Sequence, residues 1–175
     1  MTHIQSTAPQ GYVLNAGEGE YLAHFADAGE IFIWVGPATG SAGFALGTQQ
    51  VRVGCIFCEL QEDRIVASNA LAFAIRDNYP VTEHHTLVIP KRHAATFFDL
   101  FEPERRAVNH LLVSLRNEII TKDASVGGFN IGMNSGTAAG QTIDHAHVHL
   151  IPRRHGDVKD PRGGVRGVIP GKAAY

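Results

Sequence analysis

Apolar and polar positions along the chain follow a strand-like rhythm, then a helical one, then a strand-like rhythm again. Residues 1–20 are polar and glycine-containing, and predict a loose start. "YLAHF" and "EIFIWV" are rich in aromatic and β-branched residues and predict strands. "GPATGSAG" is a glycine-rich turn, and "FALGTQQVRV" predicts a further strand. From residue 65 the pattern sharpens. "RIVASN" and "LAFAIRD" predict two strands separated by the turn pair Ser68 and Asn69. "HTLVIP" is a short apolar run closed by Pro90, as suits a buried central strand.

In "DLFEPERRAVNHLLVSLRNEIITKD" the period changes. Val108, Leu111, Leu112, Leu115 and Ile119 fall at helical spacing and form one apolar stripe. Asp99 is placed to cap this helix, with Glu102 three residues on and Pro103 tolerated in the first turn. "GGFNIGMNSG" then predicts a strand running into a polar loop, and "TIDHAHVHLIP" the last strand. The order predicts an α+β fold: a mostly antiparallel sheet with one long helix packed on it, plus an N-terminal β extension. The tail "PRGGVRGVIPGKAAY" is rich in glycine and proline and reads as an extended or looping segment.

Composition narrows the possibilities without choosing among them. The 175 residues suit one ordinary domain with a short appendage, and are 44% hydrophobic and 18% charged. A formal net charge of -2 gives no footing for a nucleic-acid surface. Basic residues gather late, at Arg153, Arg154, Lys159, Arg162, Arg166 and Lys172, which suits a local anion such as a nucleotide phosphate. No run reaches the roughly 18 apolar residues of a membrane helix, and the first residues lack the pattern of a signal peptide. The only two cysteines sit together in "CIFC", unlike a secreted disulfide scaffold, so a cytoplasmic protein is the expectation.

The densest chemistry lies in "TIDHAHVHLIPRR", where His145, His147 and His149 alternate with Ala146, Val148 and Leu150. On a strand, the apolar three would face the core and all three imidazoles the opposite side. Imidazoles so placed are solvated, or they have work to do. Two chemistries compete: histidines at i and i+2 can chelate a metal, or the central one can act as nucleophile while its neighbours set its tautomer. The preceding loop offers backbone amides and neutral groups at Asn134, Ser135, Gly136, Gly140, Gln141 and Thr142, which suit phosphate oxygens better than a divalent cation.

"HAHVHLI" fits the alternating pattern of the histidine triad (HIT) family, and the chain resembles that family from about Gly54 to His155. "CIFCEL", "HTLVIPKRH", "NIGMNSGTAAGQT" and "HAHVHLIPR" occur in the family's order. The resemblance implies a nucleotide hydrolase. The middle histidine, here His147, would attack the α-phosphate to form a nucleotidyl-histidine intermediate, which water resolves to a nucleoside monophosphate. It also implies that the His145 carbonyl fixes the His147 tautomer and that His149 contacts the α-phosphate. Asn134, Gln141 and Thr142 would lie around the phosphates and leaving group, with Gln141 counted among the catalytic residues. Asp77, closing "FAIRD", would accept the ribose hydroxyls, unless it is only a turn residue before "NYP".

Cys55 and Cys58 alone are ambiguous between a redox pair and half a zinc site. They precede strands and not a helix, which weakens the redox reading. A zinc-bearing subset of the resembled family, like the galactose-1-phosphate uridylyltransferases, uses CxxC and two histidines, one being the first of the motif. Cys55, Cys58, His93 and His145 are therefore the expected ligands of a structural zinc, with His84 and His85 as rivals to His93. His85 is expected to serve its strand and to stand behind the residues that touch the nucleotide. The alternative is a pair of reduced, buried thiols.

The expected organisation is an N-terminal extension over 1–53, a HIT domain over 54–155 and a tail over 156–175. "GSAGFALGTQQVRVG" resembles the opening strands of a cupin barrel, but the metal-binding histidines of a cupin do not follow. Packing strands or a dimer contact is its expected role. Substrates in view are dinucleoside polyphosphates, which the basic tail favours and which could bring a divalent cation, and adenosine phosphoramidates. A nucleotidyltransferase or phosphorylase, or a nucleotide-sensing module with slow turnover, is the alternative. The resemblance also implies a homodimer.

Overall fold

The computed structural model describes residues 51–173, together with the backbone of three short strands nearer the N-terminus. These strands, β1 (Gly11–Val13), β2 (Leu22–Ala26) and β3 (Ile33–Val35), pair antiparallel in the order β1-β2-β3. The expected turn at 36–43, and residues 44–50 of the expected strand at 44–53, lie outside the described residues. Residues 51–53 enter a turn and not a strand.

The main sheet contains β4 (Ile65–Ser68), β5 (Ala72–Arg76), β6 (Thr86–Pro90), β7 (Val126–Gly132) and β8 (Val148–Arg154). Their order is β4-β5-β6-β8-β7, and every pairing is antiparallel. The helix α1 (Glu102–Lys122) crosses one face. Period-two alternation explains why. Ala72, Ala74, Val88, Val148 and Leu150 point to that face, where they bury Ala107, Val108, Leu111, Leu112, Leu115 and Ile119 of the helix. Two alanines on β5 leave room for the helical stripe to approach. Each fully buried leucine or isoleucine there contributes roughly 1.5–3 kcal/mol.

The other face carries Phe73, Ile75, Leu87 and Ile89, which pack against Cys55 and Phe57. The loop bearing the cysteines thus covers the side of the sheet away from the helix. Asn69 makes the β4–β5 turn: its Oδ1 accepts the N–H groups of Leu71 and Ala72, and its Nδ2 donates to the Ala107 carbonyl on α1.

Two sequence expectations are corrected here. Asp99 does not cap α1; it closes a separate short 3-10 turn (Phe97–Asp99), accepting both the N–H and the hydroxyl of Thr96. Leu100 is buried with Ala94 and Ala146, which draws the chain out straight and delays the helix to Glu102. Its first turn is held instead by Glu104, which accepts the Phe101 N–H at 2.8 Å and two N–H groups of Arg92. The second correction concerns the last strand, which starts at Val148 and leaves His145 to His147 in an irregular approach. Ala146 donates its N–H to the Ala94 carbonyl at 2.7 Å, pulling this segment off the ladder.

The tail contains a 3-10 turn (Gly164–Val168) beside β7, close enough that a Cβ on Gly164 would meet the Asn130 amide at 3.3 Å. Among the described residues, no helix is long and apolar enough to cross a membrane.

Candidate functional site

Because His145 precedes the strand, alternation does not place the three histidines on one face. The rings diverge instead. His145 is fully buried and turns towards the cysteine loop, whereas the rings of His147 and His149 lie 5.2 Å apart.

The cysteine loop is a tight turn: Gly54 adopts φ 79°, a conformation few side-chain-bearing residues take, and the Cys55 carbonyl accepts the Glu59 N–H. This turn brings Cys55 Sγ to 3.3 Å and Cys58 Sγ to 3.6 Å from His145 Nδ1, with Cys58 Sγ 3.5 Å from His93 Nδ1. A zinc ion with Zn–S of about 2.3 Å and Zn–N of about 2.05 Å at tetrahedral angles requires S···N edges of about 3.5 Å. The four residues therefore have the chemistry and the spacing of a Cys2His2 site. His145 Nε2 donates to the Pro90 carbonyl at 2.9 Å, which leaves the Nδ1 lone pair aimed at the sulfurs. Burial lowers the His145 pKa to about 4, so its ring is a neutral donor near pH 7. Burial also holds the Cys58 thiol above its ordinary range, a tendency a bound cation reverses. Of the rivals, His84 and His85 lie outside this cluster and His93 lies within it.

His147 is buried, and its Nδ1 donates to the His145 carbonyl at 2.8 Å. A carbonyl can only accept, so Nδ1 carries a proton, and in the neutral tautomer Nε2 carries the lone pair. Phe57 packs edge-on against this ring at 5.4 Å and against His145 at 5.7 Å, bridging the two halves of the site.

His149, on β8, lies with Nδ1 3.0 Å from Nε2 of His85, the residue just before β6. Asp77, at the end of β5, places Oδ2 3.4 Å from His85 Nδ1 and 4.0 Å from His149 Nδ1, while Oδ1 accepts the Tyr79 N–H. Burial lowers the His85 pKa against the opposing pull of Asp77. Burial, followed by the neighbouring His147 and His85, lowers that of His149 to about 4. Asp77, His85 and His149 also have potential ligand atoms within 4.8 Å of one another.

The remaining candidates are dispersed. Gln141 commits its whole amide to the loop: Oε1 accepts the Gly136 N–H, and Nε2 donates to the Ala95 and Ile143 carbonyls. Thr142 is exposed and lines a cleft of about 310 Å³ with Arg52, Gly54, His93 and Asp144, on the outer side of the cysteine cluster. Asn134 is half-buried after β7, and beside it the Ser135 hydroxyl is buried with no hydrogen-bond partner among the described residues. Sequence reasoning missed the Arg52–Asp144 ion pair, the bracing by Gln141 and the Phe57 contacts. Only Phe57 carried a signal, as the aromatic residue inside CxxC.

The HIT domain family model matches residues 59–156. A HIT-like protein of Mycoplasma genitalium is 36% identical over 105 residues, covering 57% of this chain and 72% of that relative. The adenosine 5'-monophosphoramidase of Schizosaccharomyces pombe is 33% identical over 105 residues, covering 58% and 75%. The crystal structure of a zinc-bound histidine triad family protein from Mycobacterium smegmatis superposes with a TM-score of 0.55 at 31% identity, covering 61% of this chain and 80% of that one. With the five-stranded antiparallel sheet, the single long helix and the paired histidine environments, these matches establish that the chain belongs to the HIT family.

Proposed function

We propose that this protein is a nucleotide hydrolase that cleaves at the α-phosphate through a nucleotidyl-histidine intermediate on His147. The carrying observation is the hydrogen bond from His147 Nδ1 to the His145 carbonyl, which in the neutral tautomer places the lone pair on Nε2. In the first step a bond forms between Nε2 and phosphorus as the bond to the leaving group breaks. In the second, water displaces His147 and releases the nucleoside monophosphate. His149 stabilises the charge that develops on the phosphate oxygens. Asp77 accepts the ribose hydroxyls, and Asn134 and Thr142 belong to the loops that bound the substrate. Gln141 acts by holding that loop in shape.

Zinc at Cys55, Cys58, His93 and His145 would supply a rigid cross-link between the cysteine loop and the approach to β8. Its effect on chemistry would pass through the His145 carbonyl. The spacing of the four donors and the zinc-bound relative support this reading.

Two observations favour an adenosine phosphoramidate over a dinucleoside polyphosphate. Three of the six late cations that suggested extra phosphates are paired: Arg153 with Asp157, Arg154 with Asp123 and Arg162 with Asp160. The fission-yeast relative is also named for phosphoramidate cleavage. A cytoplasmic homodimer remains our expectation. Val113 and Ile120 on α1, with Ile131 and Met133 on or just past the edge strand β7, offer exposed apolar surface for a second copy.

The test is AMP release from a panel of adenosine phosphoramidates and dinucleoside polyphosphates, with mass spectrometry of rapidly quenched protein. His147→Ala should bind AMP yet lose turnover and the covalent adduct. Wild-type turnover in that variant would defeat the mechanism.

A further inference from the structure

We propose that Asp144 holds the outer nitrogen of His93 when zinc occupies the Cys55, Cys58, His93 and His145 cluster, and that Arg52 holds the same ring in the metal-free protein. The inference deepens the zinc reading given above and rests on it.

The two histidines of the cluster are anchored differently. His145 turns Nδ1 to the sulfurs and places Nε2 2.9 Å from the Pro90 carbonyl, an acceptor that suits a metal-bound ring. His93 has Nδ1 3.5 Å from Cys58 Sγ, but its Nε2 meets Arg52 Nη1, also at 3.5 Å. A guanidinium has donors only, so Nε2 accepts there and the neutral ring carries its proton on Nδ1. That proton sits on the nitrogen a metal would need.

Zinc takes a nitrogen lone pair, so a neutral His93 that offers Nδ1 to the ion carries its proton on Nε2. N–H would then stand against N–H at Arg52. The ring needs an acceptor instead, and one is at hand. The same Arg52 Nη1 is ion-paired with Asp144 Oδ2. Imidazole and carboxylate thus stand on either side of one guanidinium nitrogen, and Asp144 can take the Nε2 proton once Arg52 withdraws. His93 is neutral in both states: Nδ1 gives a proton to solvent and Nε2 takes one up.

The surroundings permit the exchange. The Arg52 and Asp144 side chains are 57% and 62% exposed, and with His93 they line the cleft of about 310 Å³ outside the cluster. An exposed ion pair of this kind is weak, and 3.5 Å is long for a hydrogen bond. The metal-free hold on His93 is therefore slight beside a zinc–nitrogen bond. Both residues are also tied to the ligands by the chain. Asp144 directly precedes His145, and the Arg52 carbonyl accepts the Cys55 N–H at 3.1 Å.

Two measurements on the full chain test this. Zinc affinity is read by competition with a chromophoric chelator. Asp144→Ala should bind zinc about 10- to 100-fold more weakly, as expected when the partner of a ligating histidine is removed. Asp144→Asn keeps an acceptor oxygen and should lose only a few-fold, whereas Arg52→Ala should bind a few-fold more tightly. Charge alone would give the same signs, so long-range ¹H–¹⁵N spectra of His93 supply the deciding arm. Metal-free wild type should show His93 protonated at Nδ1. The zinc-loaded protein should show it protonated at Nε2, with that proton slow to exchange with water. The slow proton should persist in Arg52→Ala and Asp144→Asn and vanish in Asp144→Ala. An Nε2-protonated His93 in the metal-free protein would overturn the proposal, as would a slow Nε2 proton or wild-type zinc affinity in Asp144→Ala. A wild-type chain that binds no zinc would sink the zinc reading and the proposal together, so the two failures are told apart.

Discussion

The carbonyl oxygen of His145 accepts the Nδ1 proton of His147 at 2.8 Å, while the ring of His145 faces the two cysteines. One residue therefore serves two sites, by its backbone and by its side chain. This coupling predicts what metal removal should do. Chelation, or Cys55→Ser, should lower stability by about 4 kcal/mol when free zinc was 1,000-fold above its Kd. Because His147 Nε2 is not among the donors, kcat should fall while AMP binding changes little. Denaturant unfolding and single-turnover kinetics with and without chelator are the measurements. Complete loss of chemistry with folding and AMP binding intact would rule out a bracing role for the metal.

Acid should act on His149 in a defined window. Its pKa is about 4 in the folded protein, against an ordinary value of 6.5, chiefly through burial. The unfolded chain therefore takes up a proton that the folded chain refuses between these pH values. The stability linked to this group is fully present above pH 6.5 and is lost as pH falls through 4. The whole effect is at most about 3 kcal/mol. Urea unfolding from pH 7 to 4 should show the decline, and His149→Gln should make it shallower, leaving the part linked to His145, whose pKa is likewise lowered to about 4.

How far the sequence anticipated this molecule depended on whether a feature was periodic. The strands over 65–76 and 86–90 and the stripe from Val108 to Ile119 follow from local spacing, because each side chain needs only to know its face. The segment over 145–147 looked equally periodic and is not a strand. A hydrogen bond from Ala146 to Ala94, some fifty positions earlier, overrides the alternation there. Asp99 failed as a helix cap for a similar reason, since burial of Leu100 beside Ala146 extends the chain before α1. The His147–His145 contact lies within one short motif, whereas the contact of His149 with His85 joins residues 64 positions apart, which no local pattern encodes.

Gln141 offers a test of whether the loop or the side chain matters. Its amide bonds the Gly136 N–H and two carbonyls, spanning the turn in which Gly136 and Gly140 adopt positive φ. Gln141→Ala should deprive those exposed and half-buried backbone groups of their side-chain partner and cost about 1 kcal/mol. Gln141→Glu keeps the acceptor but sets a carboxylate against two carbonyls, and should be the more damaging of the two. Both should raise KM more than they lower kcat. A fall in kcat alone, with stability unchanged, would instead mean that the amide turns to the substrate during turnover.

Asn69 should matter to the fold and not to the chemistry. Its Oδ1 receives the Leu71 and Ala72 N–H groups at 3.1 and 2.8 Å, and its Nδ2 reaches the Ala107 carbonyl at 2.9 Å. The side chain thus builds the β4–β5 turn and ties it to the first half of α1. Asn69→Ala removes three hydrogen bonds at a half-buried position and should cost about 2 kcal/mol. Asn69→Asp retains the turn acceptors but places a carboxylate beside the Ala107 carbonyl, so it should still lose the link to the helix. Unfolding in urea would show both losses, and kcat/KM under native conditions should stay within about twofold of wild type, as expected for a distant, independent site. A large drop in kcat/KM in a fully folded Asn69→Ala protein would show that the helix contact transmits to the histidines, contrary to the separation described here.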